Sequence, residues 1–155
     1  MRADDIAVAH TPPGGYGNAM PPPILAGCTE PLVAGAPDLR GTWRVVSVEW
    51  KSGAAPEPDP IADHVERIEQ CGDRVIVTSS GVIHDMRADG TAEHGVNDVA
   101  AVNGQAISVV CTFENDVHTL RPVGMPGIEV TRRLDGKQLV WEYGPMFTAR
   151  LERME

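Results

Sequence analysis

The sequence predicts an all-β fold: a closed antiparallel up-and-down β-barrel of eight to ten strands behind a flexible N-terminal tail. Short runs rich in β-branched and aromatic residues recur after residue 38, separated by turn dipeptides such as Asp89-Gly90, Asn103-Gly104, Asn115-Asp116 and Asp135-Gly136. These dipeptides supply the positive φ angles of two-residue hairpins, so each implies antiparallel neighbours. No segment carries a 3.6-residue apolar period over a dozen residues. A sheet of this many strands removes its exposed edges by closing.

The chain divides into two parts of different composition. Residues 1–37 hold seven prolines and five glycines, including the run Pro21-Pro22-Pro23. Such a segment favours irregular backbone that buries little surface by itself. Residues 38–155 are enough for one domain with one substantial core. We therefore expect a tail followed by a single barrel domain.

Two interpretations of the tail stay open. In the first, it is a floppy leader. In the second, it is a lid whose apolar residues fold over the barrel mouth when a ligand occupies the cavity. The residues that would cover the ligand are Met20, Ile24 and Leu25.

Composition narrows the class of protein. The net charge of −9 disfavours nucleic acid as a partner, because phosphate binding needs clustered Lys and Arg. No apolar run approaches the roughly 20 residues of a membrane helix, and Asp4 and Asp5 stand where a signal peptide carries positive charge. Cys28, Cys71 and Cys111 have no paired spacing, which indicates free thiols. We expect a cytoplasmic monomer or homodimer that binds neither nucleic acid nor membrane.

Strand alternation gives a first view of the barrel faces. The first predicted strand runs from Thr42 to about Lys51, and simple alternation places Trp50 on the face opposite Trp43. The Pro-rich stretch 51–60 that follows is a loop. Several strands are apolar on both faces, so alternation alone does not separate inside from outside.

Motifs for covalent or metal chemistry are absent from the sequence. Ser79-Ser80-Gly81 lacks the Gly-x-Ser-x-Gly elbow, and the five histidines include no pair at metal-ligand spacing. Cys71 and Cys111 are interpreted as small core residues rather than nucleophiles. We expect no metal and no cofactor.

Arg132 and Arg133 are adjacent, so only one of them can point into the barrel. An inward Arg could hold an anionic carboxylate or enolate, as in the fatty-acid-binding proteins. An outward pair is a solvated surface, which is the favoured interpretation.

The start of the first strand, Gly41-Thr42-Trp43, resembles the Gly-x-Trp motif of the calycins. In those barrels the Trp closes the floor, and a basic residue of the last strand lies against its ring. The resemblance implies that Arg150 makes this contact, and that Ile61–Glu66 forms a single helical turn as a short lid.

The runs Gln70–Thr78, Gly81–Met86 and Asp89-Gly90-Thr91, behind a Pro-rich tail, resemble the small β-barrel Diels–Alderases that form spirotetramates and spirotetronates. The resemblance implies an intramolecular [4+2] cycloaddition on a polyene tetramate or tetronate during antibiotic biosynthesis, without cofactor. Such a reaction needs confinement and alignment of the two reacting ends rather than a nucleophile.

From side-chain chemistry and parity, the candidate catalytic residues are Gln70, His84 and Tyr143, as donors to the dienophile carbonyl. The residues expected to contact substrate are Met20, Ile24, Leu25, Trp50, Thr78, Met86, Cys111, Phe113, Trp141 and Phe147. The competing hypothesis is a non-catalytic carrier of a hydrophobic small molecule. A third hypothesis is a structural barrel with a filled core.

Overall fold

A computed structural model describes residues 1–12, 14–17, 19–93, 95–97 and 107–154, with the backbone alone at 95–97 and 107. Within these residues ten antiparallel strands form a closed barrel, in which each strand pairs with the next and β1 pairs with β10. The predicted up-and-down barrel is confirmed. The strands are β1 (Gly41–Trp50), β2 (Val65–Cys71), β3 (Arg74–Ser79), β4 (Val82–Arg87), β5 (Gly95–Asn97), β6 (Ile107–Glu114), β7 (Val117–Pro122), β8 (Glu129–Asp135), β9 (Gln138–Gly144) and β10 (Phe147–Arg153).

Predicted turn residues join the strands where the structure describes them. Asn115 and Asp116, both at positive φ, connect β6 to β7, as a type I′ hairpin turn requires. Gly136, also at positive φ, connects β8 to β9. The predicted Asn103-Gly104 turn lies outside the described residues.

The narrow end of the barrel is closed around Trp43, which is fully buried. Its indole Nε1 donates to the carbonyl of Leu39 at 2.8 Å, and Leu39 is itself buried in the interior cluster. Gln70 holds this segment from the next strand: its side chain accepts from Leu39 N at 2.6 Å and donates to the Pro37 carbonyl at 2.9 Å. The Gly-x-Trp floor is therefore present, and Gln70 is part of it.

The arginine on the Trp43 ring is Arg153, not the predicted Arg150. The Arg153 guanidinium lies 4.4 Å from the ring centroid, and the two residues are register partners of β10 and β1. Arg150 instead donates to Asp135 on the barrel surface at 3.0 Å. The reason is parity: Ala149 and Leu151 point inward, so the odd-numbered Arg153 shares their face and Arg150 does not.

A β-bulge in β1 corrects the predicted orientation of Trp50. The register with β10 shifts between Val45 and Ser47, and one extra residue reverses the alternation beyond it. Trp50 therefore pairs with Phe147 and packs against the interior cluster. Trp43 and Trp50 share the inner face.

Described residues between Ala3 and Cys28 lie along the outer face of β2, β3 and β4. They bury a second apolar cluster there, made of Ala3, Leu25, Cys71, Ile76 and Ile83, with Ile6, Ala9, Tyr16, Ile24 and Cys28 half-buried against it. In this structure the N-terminal segment packs on the outer wall. Ile24 and Leu25 cover the outer wall, and half-buried Met20 is not a member of the described interior cluster.

Buried polar groups attach the N-terminal segment to this wall. Arg74 forms an ion pair with Asp85 at 2.6 Å, with both side chains buried. Its guanidinium also donates to the carbonyls of Ala3 at 3.0 Å and Ala7 at 2.8 Å. The segment therefore supplies acceptors without which a buried guanidinium would be incompletely satisfied.

A disulfide bond joins Cys28 of the segment to Cys71 of β2, so the expectation of three free thiols is wrong. The 43-residue separation hid the pairing, because only the folded segment brings the two residues together. Cys111 is the remaining thiol and is buried. A structural disulfide is typical of oxidising compartments, so cysteine usage no longer supports the cytoplasmic expectation.

Residues 51–64, between β1 and β2, form turns and bends rather than the predicted helical turn at Ile61–Glu66. The Ile61 carbonyl accepts from His64 N at 3.1 Å, a single turn that ends where β2 begins at Val65. No helix among the described residues has the length and apolar character to cross a membrane.

We expect Trp43→Ala to reduce the free energy of unfolding by about 3–5 kcal/mol, because it empties the floor and removes the surface under Arg153. Urea denaturation followed by circular dichroism measures the loss. Trp43→Phe should lose less, since it retains a ring. A change under about 1 kcal/mol for Trp43→Ala would show that the floor does not stabilise the barrel.

We expect Cys28→Ser/Cys71→Ser to lower the free energy of unfolding by roughly 3–4 kcal/mol, the loop-entropy estimate for this separation. Titration of the denatured, unreduced protein should find one thiol. A count of three would contradict the disulfide. Cys111→Ser, which leaves the disulfide intact, is the matched control for the loss of one sulfur.

Candidate ligand-binding site in the barrel interior

The barrel interior is lined by alternate residues of every strand whose side chains the structure describes. Most are buried apolar side chains, so the inner wall is hydrophobic. They are Leu39, Trp43, Val45, Ile68, Val75, Val77, Met86, Val109, Cys111, Leu120, Val130, Leu139, Trp141, Phe147, Ala149 and Leu151.

An aromatic cluster forms where β1, β9 and β10 meet the segment before β2. We define it as Trp50, His64, Trp141, Tyr143 and Phe147. Phe147 is its centre, with ring centroids 5.1 Å from Trp50, 5.0 Å from Trp141 and 5.7 Å from Tyr143. Trp50 and Tyr143 are only half-buried, so the cluster reaches from the core to the protein surface.

A buried ion pair lies beneath the aromatic cluster. Glu66 of β2, fully buried, accepts from Arg132 Nε at 2.8 Å and from a second guanidinium nitrogen at 3.1 Å. His64 Nε2 lies 2.8 Å from the same carboxylate. Arg132 therefore points inward, against the surface interpretation, while Arg133 is exposed. The sequence analysis did not single out Glu66 or His64 as site residues. Their charged neighbours Asp63 and Arg67 are typical of a solvent-exposed segment.

The ion pair is coupled to the aromatic cluster. The Arg132 guanidinium lies 5.0 Å from the Trp141 ring centroid, a cation–π contact strengthened by burial. The His64 ring centroid lies 4.6 Å from that of Trp141. Arg132, His64 and the aromatic cluster therefore form one continuous set of contacts.

The electrostatics keep Glu66 ionised. Burial by itself raises the pKa of the Glu66 carboxyl, but the charge of Arg132 and hydrogen bonds from His64 and Arg132 outweigh it and lower that pKa to about 2. The pair of Glu66 and Arg132 is consequently neutral overall at ordinary pH.

A second polar pair lies on the wall formed by β6 and β7. Cys111 Sγ is 3.0 Å from His118 Nε2, and both residues are buried. Burial, with the charge of Asp89, raises the pKa of Cys111 to about 12. Burial and the charge of Arg132 lower the pKa of His118 to about 3. Both groups are therefore neutral, which does not favour a thiolate nucleophile.

The structure brings together four residues singled out from the sequence: Trp50, Trp141, Tyr143 and Phe147. Met86 and Cys111 lie deeper in the interior cluster, Phe113 packs half-buried against it, and His84 lies on the inner face of β4 opposite Val77. Thr78 does not reach this site: it pairs with Arg67 and Ile83 and so faces the outer wall. Gln70 faces inward but is committed to the floor.

The larger described cleft lies outside the barrel, between residues 4–10 and β4. It has a volume of about 700 Å³ and is lined by several charged side chains, including Asp73, Arg74 and Arg87. Among the described residues, no group of three or more His, Cys, Asp or Glu side chains is placed to hold a metal ion.

No protein-family model matches the sequence, and no curated protein matches it. Solved structures match over most of the barrel. Human cRBP IV is 21% identical, with a TM-score of 0.59, and the match covers 76% of this chain and 98% of that one. Zebrafish ileal bile acid-binding protein, complexed with cholic acid, is 17% identical with a TM-score of 0.55, covering 74% and 98%. The REP1-NXSQ fatty acid transporter is 16% identical with a TM-score of 0.53, covering 76% and 97%.

At these identities the likeness shows the fold alone, and the predicted closed up-and-down barrel is confirmed. None of these three neighbours is titled a cyclase. The resemblance to Diels–Alderases therefore stays a prediction.

We expect acid to destabilise the protein in two windows. The contribution of Glu66, roughly 3 kcal/mol, is present above its ordinary pKa of 4.5 and is lost as pH falls toward 2, because its folded pKa is lowered to about 2. His118 must stay neutral in the fold, so stability also declines as pH falls from 6.5 toward its lowered pKa of about 3.

Urea unfolding at a series of pH values checks this. Glu66→Gln should be less stable at neutral pH, since Arg132 loses its anion, but should lose less further stability below pH 4.5 than the unchanged protein. Glu129→Gln, at a half-exposed pair with Arg121, is the control. If the free energy of unfolding falls equally below pH 4.5 for Glu66→Gln and for the unchanged protein, the lowered pKa of Glu66 is contradicted.

Proposed function

We propose that this protein binds a hydrophobic small molecule in the barrel, with the aromatic cluster as its apolar contact surface. The observation that carries the proposal is the half-burial of Trp50 and Tyr143 beside buried Trp141 and Phe147. Large aromatic side chains that run from the opening into the core are typical of small-molecule sites, with few polar groups at the inner end. The structural neighbours titled as a fatty acid transporter and a bile acid-binding protein support it.

Entry requires movement of the segment between β1 and β2. Trp50 Nε1 donates to Asp59 at 2.9 Å, and Asp59 also accepts from Ile61 N at 2.8 Å. Half-buried Ile61 packs against the interior cluster. Residues 51–58 are exposed, so this segment can shift without disturbing a strand, and we assign it as the gate.

A carrier follows most directly from this site. The Cys111 thiol and the His118 imidazole are neutral and hydrogen-bonded to each other, and the Glu66 carboxylate is hydrogen-bonded to Arg132. None is poised as a nucleophile or a general base. The site can position and desolvate a ligand, which is what a carrier needs.

A cofactor-independent [4+2] cyclase is the second candidate. The observation that favours it is the buried indole Nε1 of Trp141, which has no described hydrogen-bond acceptor and lies among aromatic rings that could fold a polyene. A donor at that place could bind a conjugated carbonyl and polarise the dienophile. Turnover of a linear polyene tetramate or tetronate separates this cyclase from a carrier.

We expect the full-length protein to bind Nile red, a neutral apolar dye, with a blue shift and rise in its fluorescence. Trp50→Ala should weaken binding by about tenfold or more, because it removes the largest ring at the opening. Val46→Ala, on the outer face of the same strand, is the control. Failure of the unchanged protein to bind the dye would favour the structural barrel with a filled core.

A further inference from the structure

On the part of the inner wall beside Arg132, two buried side-chain nitrogens lack a hydrogen-bond partner among the described residues. They are the indole Nε1 of Trp141 and the imidazole Nδ1 of His118. Trp141 is 7% exposed and His118 is fully buried. A buried donor without a partner is destabilising, and native proteins keep few of them. Each is therefore a donor whose acceptor is not among the described residues of this chain.

The two donors flank Arg132. In the strand register, Arg132 of β8 is the partner of His118 on β7 and of Trp141 on β9. The three side chains occupy one rung of neighbouring strands, and all belong to the inner face. The ring of Phe113, 5.4 Å from that of His118, continues the apolar wall beside them.

The contact with Cys111 bears on which nitrogen of His118 carries the proton. Both groups are neutral, so the 3.0 Å contact holds either a thiol hydrogen donated to Nε2 or an Nε2 hydrogen donated to Sγ. We assign the S–H as donor and Nε2 as acceptor, which places the imidazole hydrogen on Nδ1. His118 thus presents an N–H donor to the interior, as Trp141 does.

The charge of Arg132 is already matched. Glu66 accepts two of its hydrogen bonds at 2.8 and 3.1 Å, in full burial. A ligand carboxylate at this rung would be a second buried anion close to Glu66, with one cation between the two. A neutral oxygen acceptor meets no such repulsion.

We propose that the barrel selects a neutral ligand whose polar end is a carbonyl or hydroxyl oxygen that accepts hydrogen bonds from Trp141 Nε1 and His118 Nδ1. The inference rests on the proposed function, since it names the chemical class of ligand for the same site. Fatty acids in their ionised form are disfavoured by it, although an inward arginine alone would suggest them.

The experiment is displacement of Nile red from the full-length protein by four ten-carbon competitors: methyl decanoate, decanol, decanoate and decene. The ester and the alcohol should displace the dye at concentrations at least about tenfold lower than decanoate. They should also outcompete decene, which has the chain but no acceptor. Trp141→Phe should weaken the ester by about three- to tenfold, the effect of one lost hydrogen bond, and leave decene nearly unchanged.

Two further variants separate hydrogen bonding from packing and charge. Trp50→Phe removes an indole N–H that already bonds Asp59, so it should change the affinities for ester and decene alike. Glu66→Gln leaves Arg132 without its anion and should shift the preference toward decanoate. Circular dichroism checks that this variant folds, and if it does not, Trp141→Phe decides the question alone.

The outcomes distinguish failure of the inferred ligand class from failure of the proposed small-molecule binding. If Nile red does not bind at all, the proposed function is wrong. If the dye binds but decanoate competes as well as methyl decanoate, the ligand class is wrong and the binding site stands. If Trp141→Phe weakens decene as much as the ester, Trp141 contributes packing only and the donor role is overturned.

Discussion

The ion pair between Glu66 and Arg132 is the interaction on which the interior depends. It crosses the barrel from β2 to β8 and joins residues that the strand ladders do not pair. Glu66 also binds His64, which places that imidazole against Trp141. Arg132 lies on the face of the same indole. Two charges so deeply buried are tolerated because each satisfies the other, and together they set the arrangement of the aromatic cluster.

The outer face of β2, β3 and β4 is also buried and also contains a buried ion pair. Strands β2 to β4 present apolar side chains to both faces, and the N-terminal segment covers the outer set. Arg74 and Asp85 form a buried pair there, as Glu66 and Arg132 do inside. The disulfide from Cys28 to Cys71 fixes the segment to β2. These strands are thus buried on both sides, which a simple barrel with one solvated face does not require.

The chemistry of the barrel interior is compatible with the proposed binding of a small molecule. The fold is shared with structures titled for fatty acid transport and bile acid binding, yet the inner arginine here is neutralised by a carboxylate of the same chain. Trp141 Nε1 and His118 Nδ1 have no hydrogen-bond partner among the described residues. In the proposed site these two nitrogens would discriminate among ligands by the hydrogen bonds that a ligand completes, because an unmatched buried donor is destabilising and a matched one is not.

The sequence by itself determined the barrel and its strand connections at Asn115-Asp116 and Gly136, because local turn chemistry and side-chain alternation involve residues close together in the chain. The floor at Trp43 was implied by the resemblance of Gly41-Thr42-Trp43 to the calycin motif. The sequence also singled out Trp50, Trp141, Tyr143 and Phe147 as large aromatic side chains at strand positions, although alternation alone placed Trp50 on the face opposite Trp43. Only the tertiary structure decided the bulge that turns Trp50 inward, the choice of Arg153 over Arg150, and the pairings of Glu66 with Arg132 and of Cys28 with Cys71. Each of these depends on strand register or on contact between residues far apart in the chain, and neither quantity is contained in a local pattern.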